Sequence, residues 1–517
     1  MYTFGQVLTR ALSIAPGSCA VVYHDDRRTY TEVGSRCRRL AGALRRLGLE
    51  PGDRVGVVGL NSDCYLELYL GLPAAGFVVV PVNSRLADAE MRAILDDAGV
   101  DVVFADADYP GTAAVKRVLT MPGDYEELIA SADEAPLHDE AAEGDLAALF
   151  YTSGTTGAAK GAMHTHRSLV SSGLHFMATW PFDQETRWLV ASPMFHTGGV
   201  IGTLATVWGG GSHVIMPRFD PDLALDLIER EAVTHTLLVP TMLAATAYAQ
   251  LDRPRDVSSL RYLSHGASPI SVETLKRTRQ AFPGADLLHV YGTTEATPIT
   301  TLLPHEERIL DTPRVRSCGQ PAVGVEVRVV ESARDEARSA AVPADAVLPD
   351  AVPPGAVGEI VVRSPSVMAG YWQKPEQTAE VMRGEWYLTG DLGYADEDSY
   401  IYLVDRAKDM IISGGENIYS TEVENALSSH PAVGEVAVFG VPDSRWGEAV
   451  YAVVVSRTDV TSDELIAHCH TQIAGFKVPR TIELRTDPLP KSAAGKVLKR
   501  DLRDPHWAGQ ETQVSGG

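Results

Sequence analysis

The strongest constraint on this chain is an alternation in which short, valine-rich apolar runs take turns with longer amphipathic segments. "DRVGVVGL" (Asp53–Leu60) and "GFVVVPV" (Gly76–Val82) have the length and β-branched content of buried strands, and "DCYLELYLGLPAAG" between them has the length of a helix. "MRAILDDAGVDVVFAD" repeats the helix–turn–strand order, which returns at "DLALDLIEREAVTHTLLVP" and "ETLKRTRQAFPGADLLHVYG". A helical crossover brings the next strand in parallel to the last. The expected fold is therefore α/β, with mixed and parallel sheets faced by helices in layered subdomains. At 517 residues the chain exceeds what one core serves, so more than one domain is expected.

The boundary falls near Asp405-Arg406-Ala407-Lys408. Beyond it come a short strand "MIIS", a Gly414-Gly415 turn, a helix opening at Ser420-Thr421, and the strand-like runs "VGEVAVFGVP" and "EAVYAVVVS". This reads as a large N-terminal domain, 1–405, and a small mobile α+β domain, 406–517. Thr421 and Glu424 have the spacing of a capping box. From Glu331 to Gly355 the composition turns to Ala, Pro and Asp, as in an exposed excursion between two strands, because "GEIVVRSP" resumes strand-like sequence at once.

A formal charge of −23 argues against nucleic acid or an anionic membrane as partner, although a phosphate can still be bound locally under salt screening. The five cysteines are scattered and lack CxxC spacing, which fits a reducing cytoplasm and no structural zinc. The most apolar run, Gly71–Val82, is too short to span a bilayer. The expectation is a cytoplasmic protein without a membrane span, monomeric or a homodimer.

One short segment carries the chemistry. In "ALFYTSGTTGAAKGA" (Ala148–Ala162) an apolar strand runs into Thr152, Ser153, Gly154, Thr155, Thr156 and Gly157, and Lys160 follows. Backbone N–H groups, hydroxyls and one cation in a single small volume suit phosphate oxygens. A Walker A loop is excluded because Ala158-Ala159 stand before the lysine. The bland alternative is an ordinary connection between two elements.

The segment "YTSGTTGAAKGAMHTH" resembles the signature of the adenylate-forming superfamily, and further motifs follow in that family's order. They are "PMFHTGG" (Pro193–Gly199), "GASP" (Gly266–Pro269), "YGTTE" (Tyr291–Glu295), "YLTGD" (Tyr387–Asp391), "DRAKDMIISGGENIY" (Asp405–Tyr419) and "PKSAAGKVLKR" (Pro490–Arg500). The resemblance covers nearly the whole chain and points to the branch of acyl-CoA synthetases and fatty-acid–CoA ligases. It implies that ATP activates a carboxylic acid as an acyl-adenylate with loss of pyrophosphate, and that a thiol then displaces AMP. Such a reaction brings two anions together, so the site must neutralise charge and align groups.

The resemblance also implies roles. Thr152 to Lys160 would cover the outer phosphates. Thr294 would bond the α-phosphate, and Glu295 would hold Mg²⁺. Gly266, Ala267, Ser268 and Pro269, with Tyr291 as a flat surface, would form the adenine pocket, and Gly292 and Thr293 would also bind the nucleotide. Asp391 and Arg406 would hold the ribose. Lys496 would bridge the acyl carboxylate and the α-phosphate, stabilising charge in the transition state, while Lys491, Lys499 and Arg500 read as a solvated basic face. Lys408 would be the hinge about which the small domain turns, bringing Gly414, Gly415 and Glu416 to the pantetheine channel in place of Lys496.

Amino-acid-activating relatives carry an aspartate near "ASPMFHTGG", and here there is no carboxylate from Ala191 to Gly199, so a substrate ammonium would be left unpaired. His196 is expected to gate or line the acyl channel, with Thr197, Gly198, Gly199, Ala296 and Thr297 leaving room for an aliphatic chain in preference to a bulky aryl group. The thiol is expected to be that of coenzyme A. The alternative is the phosphopantetheine of an acyl carrier protein, for which Arg445, Lys477, Arg480 and the Lys491–Arg500 cluster are candidate docking cations. The stretch "TAEVMRGEWYLTGD" is compact, lacking the insertion common in carrier-loading ligases, which favours coenzyme A. Ser420 stands where many relatives have proline. A non-catalytic nucleotide-binding scaffold would need neither Glu295 nor Lys496, and a serine hydrolase would need a GxSxG elbow that no strand end supplies.

Overall fold

The computed structural model describes residues 2–138, 141–152, 159–268, 270–305, 307–331, 348–406, 409–413, 416–443, 445–491 and 497–507. By contact the chain parts into two units, one built mainly on Met1–Val327 and Val361–Leu388, the other mainly on Pro349–Ile360 and Thr389–Gly517.

The first unit holds two sheets. In the six-stranded one the order is Arg117–Thr120, Val102–Ala105, Arg54–Val58, Val78–Val82, Leu146–Thr152, Lys160–Thr165. Its first five strands are parallel and the last is antiparallel. In the nine-stranded one the parallel centre is Asp286–Tyr291, Tyr262–Gly266, His235–Leu237, Arg187–Val190, Ser212–Ile215 and Cys19–Tyr23. Antiparallel strands close both of its edges. The expected α/β fold is what the chain adopts. "RVGVV" (Arg54–Val58) and "VVVPV" (Val78–Val82) are strands buried on both faces, as their apolar runs require. The helix Asp63–Ala74 between them is capped by Ser62, whose side chain accepts from Tyr65 N, and it is buried along its whole length.

A five-stranded sheet places Glu326–Val330 beside Gly358–Arg363, so the strands that flank the Ala/Pro-rich excursion are neighbours. Residues 332–347 of that excursion lie outside the described residues. The C-terminal sheet pairs Val433–Asp443 with Gly447–Ser456 as a long hairpin; Thr481–Arg485 adds in parallel to the latter strand, and Ile411–Ser413 joins it at Gly447, where it begins. Helix Ser420–Ser428 packs on it through Val423, Ala426 and Leu427.

Two local expectations are corrected here. Thr421 and Glu424 do not form a capping box. The helix begins at Ser420, with Tyr419 at the cap position and no side-chain cap bond. Asp405 satisfies the helix start instead, accepting from the Ser420 N–H and hydroxyl, and Thr421 Oγ1 donates to Val404 O. Nor is Lys499 part of a solvated face. Its ammonium lies 2.7 Å from Glu424 Oε1 and donates to Ser420 Oγ at 2.7 Å, pinning helix Lys499–Trp507 to helix Ser420–Ser428.

Candidate active site

The strand Leu146–Thr152 and the strand Lys160–Thr165 are antiparallel, with Thr152 opposite Lys160. The hydroxyl-rich loop therefore closes a hairpin. Ser153, Gly154, Thr155, Thr156 and Gly157 lie outside the described residues. Lys160 is 8% exposed, and its ammonium sits 5.1 Å from the centroid of the Tyr371 ring, a cation–π contact.

A second group forms where parallel strands end, the usual place for a site in an open α/β sheet. Tyr291 closes the strand Asp286–Tyr291, and the chain turns back at once. A Cβ on Gly292 would lie 2.1 Å from Pro298 O, so only glycine permits the turn. Gly266, at the end of the adjacent strand, is needed for a similar reason, since a Cβ there would meet Val290 O at 2.2 Å. The close approach expected of Gly266 is thus toward the neighbouring strand. Ala267 follows with φ +70° and Thr297 has φ +50°, so both turns hold non-glycine residues in the left-handed region. Ser268 is half-buried, and Pro269 lies outside the described residues.

Thr293 Oγ1 is buried with no partner among the described residues. A single 3₁₀ turn, Thr294–Ala296, then presents Glu295, whose Oε1 accepts from the Tyr371 hydroxyl at 2.9 Å. A lone buried hydroxyl beside a half-buried carboxylate and near-buried lysine suits a nucleotide that brings its own cation. Among the described residues no cluster of three or more His, Cys, Asp or Glu side chains could cage a metal. That fits Mg²⁺, which is commonly held by one or two carboxylates together with substrate phosphates.

A small recess with about 10 Å³ of free interior, little more than one water occupies, is lined by Tyr69, Leu169, Ser172, Thr197, Val200, Ile201, Leu204, Thr297 and Pro298. Thr197, Val200, Ile201 and Leu204 lie on one helix, Thr197–Gly209, which starts immediately after His196. The turn into that helix is tight. A Cβ on Gly199 would lie 1.9 Å from Pro193 O, while at Gly198 nothing lies within 4 Å. Buried Asn61 fastens the "PMFH" loop, accepting from Met194 N at 2.8 Å and donating to Ser192 O and Met216 O at 3.0 and 3.1 Å. His196 Nε2 is buried and has no partner among the described residues; burial, with Arg85 adding repulsion, pushes the ring down to about 4, so it is neutral at pH 7.

Of the five small residues expected around the acyl chain, Thr197 and Thr297 line this cavity. Ala296 packs instead with Ala162, Met368, Tyr371 and Tyr387. The cavity's hydroxyls are mostly spent on the protein itself. Ser172 Oγ donates to Thr297 O at 2.5 Å, and Thr297 Oγ1 to Ser366 O at 2.9 Å.

In the second unit Asp391 is 4% exposed on the strand Trp386–Ala395 and stands directly opposite Arg406 across an antiparallel ladder. Its own N–H donates to Thr389 Oγ1 at 3.0 Å. The backbone thus makes neighbours of the two residues expected at the ribose. Glu416 opens the short strand Glu416–Ile418 that pairs with Ile411–Ser413. Lys408, Gly414, Gly415 and Lys496 lie outside the described residues. Lys491 and Val497, on either side of the Lys496 segment, form an antiparallel bridge, and Lys491 pairs with Glu435 at 2.6 Å. Of the candidate docking cations, Lys477 pairs with Glu422 at 2.8 Å, whereas Arg445 and Arg480 flank the Trp446 ring at 4.8 and 5.2 Å.

Sequence reasoning passed over Tyr69, Asn61 and Tyr371. Asn61 had one signal, a polar residue just past a buried strand. The other two lack any local signal, because they reach the site from a buried helix and from a segment after the third sheet's second strand.

Comparison with known proteins places this arrangement. The family model for AMP-binding enzyme matches residues 8–372, and that for the AMP-binding enzyme C-terminal domain matches residues 422–496. The chain is 40% identical to a feruloyl-CoA synthase of an Amycolatopsis species over 502 residues, covering 96% of this chain and 97% of that protein. It is 34% identical to the fatty acid–[acyl-carrier-protein] ligase ScoC of Streptomyces coeruleorubidus over 518 residues, covering 97% and 96%. The ATP-bound crystal structure of MatB from Rhodopseudomonas palustris superposes with a TM-score of 0.86 at 31% identity, covering 97% of this chain and 98% of that one. The chain belongs to the AMP-binding enzyme family, the adenylate-forming acid–thiol ligases that activate a carboxylic acid with ATP and pass the acyl group to a thiol.

Proposed function

We propose that this enzyme activates an acid with a compact apolar tail, an aliphatic one first, and transfers it to coenzyme A. The observation that carries the reading is the cavity beside His196: its wall is hydrocarbon from Leu169, Val200, Ile201, Leu204 and Pro298, and the hydroxyls of Ser172 and Thr297 already serve backbone carbonyls. Burying an acyl chain against this wall releases about 0.8 kcal/mol per methylene, while a charged or strongly polar tail would lose its water without replacement. A neutral His196, just before the helix that lines the cavity, adds no charge that would hold a second carboxylate.

In this reading Lys160 and the loop before it bind the outer phosphates, and Thr293 and Thr294 face the α-phosphate. Glu295 takes the cation, and Asp391 with Arg406 takes the ribose. Mg²⁺, when bound, neutralises the phosphate charge that would repel the incoming carboxylate. Lys496 offsets the charge that passes from carboxylate to α-phosphate, and the hinge at Lys408 exchanges it for the Gly414-Gly415-Glu416 segment before the thiol attacks. The domain division at 405/406 belongs to the same proposal.

Coenzyme A is supported as acceptor by the compact "TAEVMRGEWYLTGD" stretch and by the similarity to a CoA synthase. A second acid class has an observation in its favour. Tyr69 stands on the cavity wall, where its phenol offers a hydrogen-bonding group to a ring hydroxyl on the substrate; the similarity to a feruloyl-CoA synthase points the same way.

Acid-dependent pyrophosphate exchange with butyrate, octanoate, dodecanoate, cinnamate and ferulate discriminates these readings, followed by parallel offers of coenzyme A and a holo acyl carrier protein. The aliphatic reading expects kcat/KM highest among the fatty acids and product only with coenzyme A. Exchange confined to ferulate would replace it with the second reading, and product only on the carrier would overturn the choice of thiol.

A further inference from the structure

A strap follows the third sheet's second strand. Met368 N donates to Glu295 O at 2.7 Å. Ala369 N donates to Met163 O at 2.8 Å, Gly370 O accepts from Met163 N at 2.9 Å, and Trp372 N donates to Gly161 O at 2.8 Å. Met368–Trp372 is thus laced to both the strand that starts with Lys160 and the turn that presents Glu295. Tyr371 stands opposite Ala162 in this lacing and is 6% exposed. A further anchor lies behind it. Trp372 Nε1 donates to Asp97 O at 3.1 Å, and Lys374 pairs with the Asp97 carboxylate, which also accepts from Tyr151 OH at 2.7 Å.

The Tyr371 side chain touches both charged groups at once. Its ring face lies under the Lys160 ammonium at 5.1 Å, and its hydroxyl donates to Glu295 Oε1 at 2.9 Å. We propose that Tyr371 is a positioning residue for the metal–phosphate end of the site, holding the Glu295 carboxylate by one oxygen and the Lys160 ammonium by the ring face. The inference rests on the reading of Glu295 and Lys160 given above. A glutamate on a one-turn 3₁₀ segment has three free torsions, and a free carboxylate so near a lysine would swing to pair with it. The phenol prevents both. It fixes the rotamer through Oε1, leaves Oε2 for the cation, and gives Lys160 a resting place that is not the carboxylate. Outer partners of this kind typically change metal affinity by 10–100-fold when removed.

The test compares the parent protein with Tyr371→Phe and Glu295→Gln. The phenylalanine variant keeps the ring, its packing and the contact with Lys160, and loses only the bond to Glu295. Titration calorimetry with adenosine 5′-(α,β-methylene)triphosphate, whose α–β bridge cannot be cleaved, with and without Mg²⁺, reads binding without turnover. Tyr371→Phe is expected to weaken binding in the presence of Mg²⁺ by roughly tenfold. It should leave metal-free binding, the unfolding temperature and thioester formation from preformed adenylate at parent values. Glu295→Asp, which keeps a charge for the cation but draws the carboxylate back from the phenol, should weaken Mg²⁺-supported binding similarly and remains informative if the phenylalanine protein folds poorly. If Glu295→Gln loses the Mg²⁺ effect while Tyr371→Phe keeps it, the proposal is overturned and the site reading stands. If Glu295→Gln also keeps it, Glu295 does not hold the cation and both fall.

Discussion

Lys496 shows how unevenly single residues announce themselves. Nothing in its immediate sequence separates it from Lys491, Lys499 and Arg500; only the resemblance of "PKSAAGKVLKR" to a family motif does. The structure then distinguishes two of its neighbours, with Lys499 in an ion pair to Glu424 and Lys491 paired to Glu435. Lys496→Ala is expected to lower adenylation by several orders of magnitude, on the scale seen when a preorganised charge is removed from a transition state. Thioester formation from preformed acyl-adenylate should be largely spared. Pyrophosphate exchange at the parent rate in the purified variant would sink the assignment. Tyr371 is the opposite case. Its partners Lys160 and Glu295 lie 211 and 76 positions away in sequence, so no window of sequence could have paired them. Motif residues were legible because chemistry fixes their type and spacing, whereas positioning residues are fixed by the fold.

At the scale of elements, strands and helices with strong periodic patterns were legible nearly to the residue, and the errors came where tertiary contacts overrode local rules. Thr421 and Glu424 have capping-box spacing, yet the Asp405 carboxylate reaches the helix start first and frees Glu424 for other work. Burial pushes the Glu424 carboxyl up and Lys499 opposes that shift, while Val438 N donates to it at 2.8 Å. This triangle joins helix Ser420–Ser428, helix Lys499–Trp507 and the strand Val433–Asp443. Removing one partner of a buried pair leaves the other uncompensated, at about 3–5 kcal/mol for full burial. With side chains 19% and 18% exposed, Lys499→Met should cost about 2–3 kcal/mol. The double variant Lys499→Met/Glu424→Gln should cost less than the single, because the stranded charge is gone. Denaturant titration of the three proteins decides it, and a double variant worse than Lys499→Met would show that the pair does not act as one unit.

Over the whole molecule, the first unit's core is unusually rich in buried histidine, which composition alone could not reveal. His166 Nδ1 accepts from Phe4 N at 3.3 Å, and His235 Nδ1 lies 2.7 Å from Thr234 Oγ1. His265 and His305 meet through their Nε2 atoms at 2.9 Å with rings stacked, an arrangement open to one donor and one acceptor. His166 needs a neutral imidazole to accept, and the His265–His305 contact needs at least one neutral ring, whereas His235 also faces Pro181 O through Nε2 at 2.9 Å. Burial pushes His166 and His235 down to about 4 and His305 to about 3, and drives His265 well below its ordinary value. His213, whose two nitrogens face the carbonyls of Ala20 and Thr203, is pushed down to about 4 by burial as well. For the four, the unfolded chain takes up protons near pH 6.5 and the folded one does not until about pH 4 or lower. Their contribution is complete above pH 6.5 and is lost progressively as pH falls from there toward the folded values. Each can remove at most about 1.4 kcal/mol per pH unit in that window, so together the ceiling is on the order of 5 kcal/mol per unit. The unfolding temperature should therefore fall by several degrees between pH 7 and pH 5.5, with net proton uptake on unfolding. His235→Gln, which keeps a donor and an acceptor but cannot titrate, should flatten the slope, by less than a quarter because His196, His213 and His289 are lowered in the same way. A melting temperature unchanged across that range would mean that these rings hydrate or stay charged in the folded protein, contrary to the packing described above.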